Sequence, residues 1–182
     1  MGRSLRILLL TALVFTLSAS GAVRQDRPTA SDIVGQAVAE ARATDRIVMV
    51  RFRASWCEWC ALLDAAVHSF ELGRMLGDHY VQVELTVDED PAKAFLETPG
   101  AAEYRESLGG ANSGIPFYVF LDDGDVVADS LRMPEGGNIG YPVTDEEIDR
   151  FMELIDATAP RMPAADRERV RTYIEARAAE IL

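Results

Sequence analysis

Residues 47–52, with the sequence Ile-Val-Met-Val-Arg-Phe, limit the possible folds of this chain more than any other segment. Their side chains are apolar on both sides of an extended chain, and the first charge comes only at Arg51. Such a run predicts a strand with both faces buried, in the middle of a sheet. A sheet buried on both faces needs a further layer on each side, and segments with helical periodicity flank this strand. The sequence therefore predicts an α/β sandwich.

The remaining segments extend this pattern along the chain. Residues 31–44 have helical spacing, and residues 80–87 alternate as a half-buried strand does. A further helical region follows, and the acidic turn at residues 122–125 joins two short apolar runs into a predicted hairpin. Thr144 and Glu147 form the capping box of a later helix, before a last helix closes the chain. The predicted order is α-β-α-β-α-β-β-α-α, with the helices around a central mixed sheet.

The size and charge of the chain exclude several classes of partner. The 182 residues have the usual size of one domain, and 48% hydrophobic with 26% charged residues is typical of a soluble globular protein. Asp and Glu number 30 against 18 Lys and Arg, which gives a net charge of -12. Because this charge repels phosphate backbones and anionic headgroups, nucleic acids and lipid surfaces are poor candidate partners.

The N-terminus has the layout of a secretory signal peptide. Arg3 and Arg6 precede an apolar run at residues 7–17, and small and polar residues follow at 18–22. The apolar run is shorter than the roughly 20 residues that a membrane-spanning helix needs. We therefore predict a cleaved signal peptide at 1–22, a linker at 23–30, and a periplasmic or extracellular location. The alternative is an uncleaved membrane anchor, which would give the protein a membrane partner.

The chain has two cysteines, Cys57 and Cys60, between the central strand and the next helical segment. An exported protein with a single Cys-x-x-Cys pair does not use its cysteines as a scaffold, and a bridge across so small a loop stabilises by only about 2 kcal/mol. The first turn of a helix exposes Cys57 to free N–H groups and the positive end of the helix dipole, which favour a thiolate. Cys60 is placed behind it to attack a mixed disulfide. The pair is predicted to be redox-active.

Three other uses of the cysteine pair are possible in principle. A zinc site needs four ligands, but His68 lies about 16 Å along the predicted helix from Cys57 and cannot share a metal with it. A c-type haem site needs a histidine after the second cysteine, where this chain has Ala61. A small structural disulfide remains as the alternative. No metal and no organic cofactor is predicted.

Two motifs relate the chain to a known family. Residues 54–60, Ala-Ser-Trp-Cys-Glu-Trp-Cys, follow a buried strand, and Gly-Ile-Pro stands at residues 114–116 before the next long strand. With these motifs the chain resembles the thioredoxin-like superfamily over residues 31–157, and residues 158–182 form a C-terminal helical extension. The resemblance implies a thiol-disulfide oxidoreductase with Cys57 as nucleophile and Cys60 as resolving thiol. It also implies a cis Ile115-Pro116 bond against the cysteines, and a client contact surface made by Trp56, Trp59, Ile115 and Pro116.

The chain departs from the family pattern at Arg51. Many relatives have an acidic residue at this position, which assists deprotonation of the second cysteine. We hypothesise that Arg51 and Arg53, on the same face of the strand, instead lower the thiol pKa through their positive charge. The alternative is that Arg51 pairs with a carboxylate.

The dipeptide between the cysteines, Glu58-Trp59, replaces the Gly-Pro familiar from thioredoxins. A carboxylate at Glu58 opposes thiolate formation at Cys57, whereas Trp59 offers an apolar contact to a client. The residues between the cysteines help to set the reduction potential, so the direction of exchange stays open. Ile115 before the proline resembles reducing members of the family and favours a reductase. The expected partners are client proteins with disulfides or thiols and a redox partner for recycling. The alternative class is a thioredoxin-like binding or chaperone module with a permanent Cys57-Cys60 disulfide.

Residues 133–142 are longer than the equivalent thioredoxin loop, which borders the active site in the family. They predict either a wall of a client groove or a flexible connection.

Overall fold

The computed structural model describes residues 27–131 and 137–182. The predicted signal peptide at 1–22, residues 23–26 of the predicted linker and residues 133–136 of the long loop lie outside the described residues. Within the described part of the chain, no helix is both long and apolar enough to cross a membrane.

A mixed sheet forms the centre of the molecule. Its strands are β1 (Ile47–Arg53), β2 (Tyr80–Thr86), β3 (Phe117–Asp122) and β4 (Asp125–Asp129), in the spatial order β2-β1-β3-β4. Strand β1 pairs parallel with β2 and antiparallel with β3, and β3 continues into β4 as an antiparallel hairpin. The apolar segment at residues 47–52 is therefore an inner strand, as predicted.

Helices cover both faces of this sheet. They are α1 (Ala30–Thr44), α2 (Glu58–Val67), α3 (Leu72–Gly77), α4 (Ala101–Ser107), α5 (Asp145–Thr158) and α6 (Ala164–Ile181), with a 3₁₀ helix at Pro91–Leu96. Val48, Val50 and Phe52 of β1 face a core shared with α1 and α4. Met49 faces the opposite core, which α2, α3, α5 and α6 complete. The mixed sheet between helical layers, with an extra C-terminal helix, confirms the predicted fold class.

Local sequence signals explain where several elements begin and turn. The Thr144 hydroxyl accepts from the backbone N–H of Glu147, whose carboxylate accepts from the N–H of Thr144, so the predicted capping box is confirmed. In the β3–β4 hairpin, Asp123 and Gly124 have φ values of 55° and 98°. Positive φ at both central residues matches the right-handed twist of the flanking strands, and glycine adopts it without steric cost.

The segment after α2 differs from the prediction. The helical spacing of Leu63, Ala66, Val67 and Phe70 predicts one buried stripe. This prediction is wrong for Phe70, because the helix ends at Val67 and Phe70 is 95% exposed. The chain then forms α3, which the periodicity did not predict. This helix is short and has no side-chain N-cap hydrogen bond. Gly73 lies so close to the backbone of Val67 and His68 that a Cβ atom would stand 2.9 Å from a carbonyl oxygen, so packing selects a poor helix former here.

The C-terminal helix α6 is part of the same core as the central sheet. Its buried residues Val170, Ile174 and Ala178 belong to one apolar cluster with Phe151 and Ile155 of α5. The helix therefore completes the layer that also contains α2. The division into residues 31–157 and an extension at 158–182 stays a prediction.

Candidate active site

Cys57 and Cys60 form a disulfide at the N-terminus of α2, with their Cα atoms 5.2 Å apart. Cys57 is the N-cap of the helix, and its Sγ accepts a hydrogen bond of 3.1 Å from the backbone N–H of Cys60. This N–H is one of the free donors at a helix start, which stabilise negative charge. Cys57 retains 6% exposure and Cys60 none, so Cys57 is the sulfur that an incoming partner reaches first.

The Ile115-Pro116 bond is cis and lies against the disulfide. The Sγ of Cys57 is 3.5 Å from the carbonyl oxygen of Ile115, and Ile115 packs on the small cluster of Ala54, Cys57 and Cys60. The cis bond implied by the family resemblance is thus confirmed. A chain bonded to Cys57 would have to pass the backbone of Ile115.

Asn138 fixes this loop, a role that no sequence motif indicates. Its side-chain amide donates to the carbonyl oxygen of Gly114 at 2.7 Å and to that of Pro116 at 2.8 Å. The amide therefore bridges the two sides of the cis bond from the long loop at residues 133–142. The length of this loop was the only available signal, and it did not single out a residue.

Two exposed tryptophans flank the disulfide. Trp56 is 52% exposed and Trp59 is 45% exposed, and Glu58 between them is exposed in the first turn of α2. The indole N–H of Trp56 donates to the carbonyl oxygen of Asp88 at 2.7 Å, which fixes the orientation of the ring. Trp59 lines a cavity of about 310 Å³ together with Ile115, Asn138 and Tyr141. Of the predicted contact surface, Trp59 and Ile115 thus line one cavity, whereas the indole of Trp56 is held at Asp88.

The loop before Cys57 is anchored by Glu89, a further residue that no sequence motif indicates. The Glu89 carboxylate accepts from the hydroxyl of Ser55 at 2.7 Å and from the backbone N–H of Ser55 at 2.5 Å. The hydroxyl bond, with the backbone bond, lowers the pKa of Glu89 from its ordinary value. Ser55 is separated from Cys57 by one residue, so a negative Glu89 holds the approach to the cysteine in place.

Arg51 and Arg53 form a charge cluster beneath the active-site helix. Arg51 is 1% exposed, and its guanidinium donates to Glu84 at 2.6 Å and to the side-chain oxygen of Gln82 at 2.7 Å. Its Nε lies 3.5 Å from Asp64, and the Nε of Arg53 lies 2.6 Å from the other oxygen of Asp64. Arg51 therefore pairs with carboxylates, which is the alternative considered for it. The proposed effect of both arginines on the thiol pKa stays a prediction, and the carboxylates oppose it.

The pKa values of the two carboxylates in the cluster are shifted in opposite directions. Burial raises the pKa of Asp64, and the charge of Glu84 raises it further against the two arginines. Burial also acts on Glu84, but the hydrogen bond with His68 and the charge of Arg51 outweigh it and lower the pKa of Glu84. The His68 Nε2 lies 2.8 Å from Glu84, so His68 belongs to this cluster rather than to a metal site. In the described ranges, no group of three His, Cys, Asp or Glu side chains is arranged to hold a metal ion.

Asp64 is a carboxylate one helical turn beyond Cys60, beside the buried Arg51. Residues four apart lie on the same side of a helix, so Asp64 follows Cys60 along one face of α2. The available sequence signal was this spacing, combined with the two arginines on one face of β1. The pairing itself joins residues of three different elements, which periodicity does not report.

A parallel pair β1–β2, a Cys-x-x-Cys disulfide at the start of the following helix and a cis proline opposite it define a thioredoxin-fold protein. A model of the thioredoxin-like family matches residues 29–123. Because this match covers more than half of the chain, the protein belongs to the thioredoxin-like family.

Several solved structures are also similar to this chain. The chain is similar to a disulphide isomerase from Xylella fastidiosa Temecula1, with 16% identity, 82% of this chain and 95% of that chain covered, and a TM-score of 0.47. It is also similar to a DsbH oxidoreductase, with 17% identity, coverage of 82% and 95%, and a TM-score of 0.46. A thioredoxin from Thermus thermophilus is 25% identical over 52% of this chain and 68% of its own, with a TM-score of 0.40. A comparison with curated protein sequences gives no match.

Proposed function

We propose that the protein is a thiol-disulfide oxidoreductase that acts on protein disulfides outside the cytoplasm. The observation that carries the proposal is the position of Cys57, which caps α2 and accepts the N–H of Cys60 beside the cis proline. A thiolate at this sulfur is stabilised by the helix start, and a low thiol pKa is what makes a cysteine a nucleophile at neutral pH.

In the reducing direction, the Cys57 thiolate attacks one sulfur of a client disulfide. A mixed disulfide forms between Cys57 and the client, and the other client sulfur leaves as a thiolate. Cys60 then loses its proton, and its sulfur attacks the Sγ of Cys57. The second client sulfur leaves, and the Cys57-Cys60 disulfide remains. The client has gained two electrons from the protein. A dithiol donor then supplies two further electrons and reduces the Cys57-Cys60 disulfide again.

The surrounding residues have distinct proposed roles in this exchange. Trp56, Trp59, Ile115 and Pro116 contact the client, and the backbone of Ile115 lies beside the reacting sulfur. The exposed carboxylate of Glu58 opposes thiolate formation at Cys57. The positive charges of Arg51 and Arg53 beneath the helix favour the thiolate and so counteract the effect of Glu58. We favour a reductase because Ile115 precedes the proline as in reducing members of the family. Export rests on the layout of residues 1–22, which predicts a signal peptide.

Reduction of insulin by dithiothreitol tests this function. We expect the wild-type protein to accelerate the reaction well above the rate with dithiothreitol alone, because Cys57 exchanges faster than an ordinary thiol. The Cys57→Ser variant is expected to give only the rate of dithiothreitol. A wild-type protein that also gives only this rate, while binding unfolded clients as well as Cys57→Ser does, would instead support a binding module with a structural disulfide.

A further inference from the structure

A second cavity lies between the active-site helix and the C-terminal helix. It has a volume of about 370 Å³, and its walls are Leu62, Ala65 and Ala66 of α2, Tyr173 and Ile181 of α6, and Tyr141 between them. Leu62 is 36% exposed and Ile181 is 37% exposed, so two large apolar side chains from opposite walls face solvent. At the rim, Arg177 and Glu180 pair with each other at 2.7 Å, so they leave no net charge there.

This cavity continues the space beside the disulfide. Tyr141 lines both the α2–α6 cavity and the cavity of about 310 Å³ that contains Trp59 and Ile115. Trp59 and Leu62 are three residues apart on α2, which places them on one side of the helix. The two cavities therefore adjoin at Tyr141 and form one strip along α2, with polar lining beside Asn138 and apolar lining towards α6. We name it the α2–α6 groove, defined by Trp59, Leu62, Ala65, Tyr141, Tyr173 and Ile181.

The dimensions of the groove suit a single extended chain. Ala65 follows Cys57 by eight residues, which is about 12 Å along a helix axis. An extended chain rises about 3.3 Å per residue, so a client residue about four positions from the client cysteine reaches this point. The exposed large apolar side chains along the groove are those of Trp59, Leu62 and Ile181. They offer far less area than the roughly 800 Å² per partner of a stable dimer.

We propose that the α2–α6 groove binds an apolar side chain of an extended client segment, about four residues from the client cysteine that reacts with Cys57. This inference rests on the proposed function and adds to it a substrate class, namely unfolded or extended polypeptides with an apolar residue at this distance. One wall comes from α6, which lies beyond the residues 29–123 that match the family model. The C-terminal helix is thus a specificity element of this chain.

Peptides with a single cysteine, activated as the mixed disulfide with thionitrobenzoate, test the proposal. The Cys57 thiolate of the reduced protein attacks the peptide sulfur, and the low-pKa thionitrobenzoate leaves as a coloured anion. The peptides carry leucine or serine four positions before or after the cysteine. Because burial of a leucine side chain in the groove stabilises the bound peptide, we expect the leucine peptide of one series to react about tenfold faster than its serine partner.

Variants of both walls show whether the groove causes this preference. Leu62→Ser and Ile181→Ser are expected to bring the leucine-to-serine ratio below about threefold, since each removes part of the apolar wall. Phe70→Ser and Leu182→Ser are the matched controls, because Phe70 is 95% and Leu182 is 87% exposed and neither lines the groove. Both controls are expected to keep the full ratio.

The possible failures are distinguishable. A wild-type protein that releases no thionitrobenzoate from any peptide, or from free thionitrobenzoate disulfide, contradicts the proposed function itself. Equal rates for leucine and serine peptides in both series, with normal release from the small disulfide, overturn only the groove. A ratio that falls equally in the control variants overturns it too. A dimer detected by sedimentation also overturns the groove proposal if Leu62→Ser dissociates the dimer and leaves the leucine-to-serine ratio unchanged. The occupant of the groove is then a second copy of the chain.

Discussion

Replacing Cys60 with alanine is expected to convert the protein from a catalyst into a covalent trap for its clients. Cys57 still attacks the client disulfide, but no second thiol is present to displace the client sulfur. Multiple turnover of insulin therefore falls to the rate of dithiothreitol alone, while a protein–client adduct accumulates. Non-reducing electrophoresis after acid quenching, followed by mass spectrometry of the adduct, measures the trapped fraction and identifies the sulfur involved.

The matched control for this experiment is Cys57→Ala, which keeps the buried thiol and removes the outer one. Because Cys60 is fully buried and Cys57 is not, this variant is expected to trap no client. Equal trapping by the two variants would contradict the assignment of nucleophile and resolving thiol. Trapping by Cys57→Ala alone would reverse the two roles.

Replacing Arg51 with methionine is expected to cause the largest loss of stability among single substitutions outside the apolar core. The change leaves Glu84 of β2 and Asp64 of α2 without their most buried cation. Removing one partner of a fully buried pair costs about 3–5 kcal/mol, and we expect about 2–3 kcal/mol here because both carboxylates keep some contact with water. Urea unfolding of wild type and variant in the oxidised state measures the difference.

Two controls separate the charge cluster from a loss of packing. Arg42→Met removes an exposed ion pair with Asp123 and is expected to cost less than about 1 kcal/mol. The double variant Arg51→Met with Glu84→Leu is expected to be more stable than Arg51→Met alone, since an unpaired carboxylate is then removed. A double variant that is less stable than Arg51→Met would contradict the role given to the Arg51–Glu84 pair.

The effect of Arg51 is also expected to depend on pH. The pKa of Glu84 is lowered in the folded state, because the hydrogen bond with His68 and the charge of Arg51 outweigh the effect of burial. The stabilisation from this carboxylate is present above its pKa in the unfolded chain and is lost as the pH falls through the lower folded pKa. The pKa of Asp64 is raised in the folded state, so this group acts in the opposite sense. Its contribution to the free energy of unfolding is lost as the pH rises through the raised pKa. The charge of Arg51 favours the ionised form of both carboxylates. The difference in the free energy of unfolding between wild type and Arg51→Met is therefore expected to be largest near neutral pH and to shrink in acid.

Most of the fold could be predicted from local patterns. The run at residues 47–52 predicted an inner strand, the turn at 122–125 a hairpin, and Thr144 with Glu147 a helix start, and the structure has all three. Each of these signals operates within a few residues, so the sequence shows it directly. Helix α3 was missed because its glycines are poor helix formers and its position is fixed by close packing against the end of α2.

The centre of the site was predicted, but its supports were not. The cysteine motif and the Ile115-Pro116 pair are visible in the sequence, and the structure brings them to within 3.5 Å of each other. The supports join residues that are far apart in the chain, such as Glu89 with Ser55 and Asn138 with Gly114. Neither a period nor a motif records such pairs, because their geometry depends on how separate elements pack. The α2–α6 groove belongs to the same class, since its two walls come from helices that are far apart in the chain.

The equilibrium reduction potential of the Cys57-Cys60 pair tests the central claim most directly. Wild-type protein is equilibrated in glutathione and dithiothreitol buffers of known potential, and the reduced fraction is counted by alkylation of the free thiols. We expect a value between about -120 and -270 mV, the range of proteins that exchange disulfides with clients. A value well below about -300 mV is typical of structural disulfides and would contradict the assignment of this pair as an exchange catalyst.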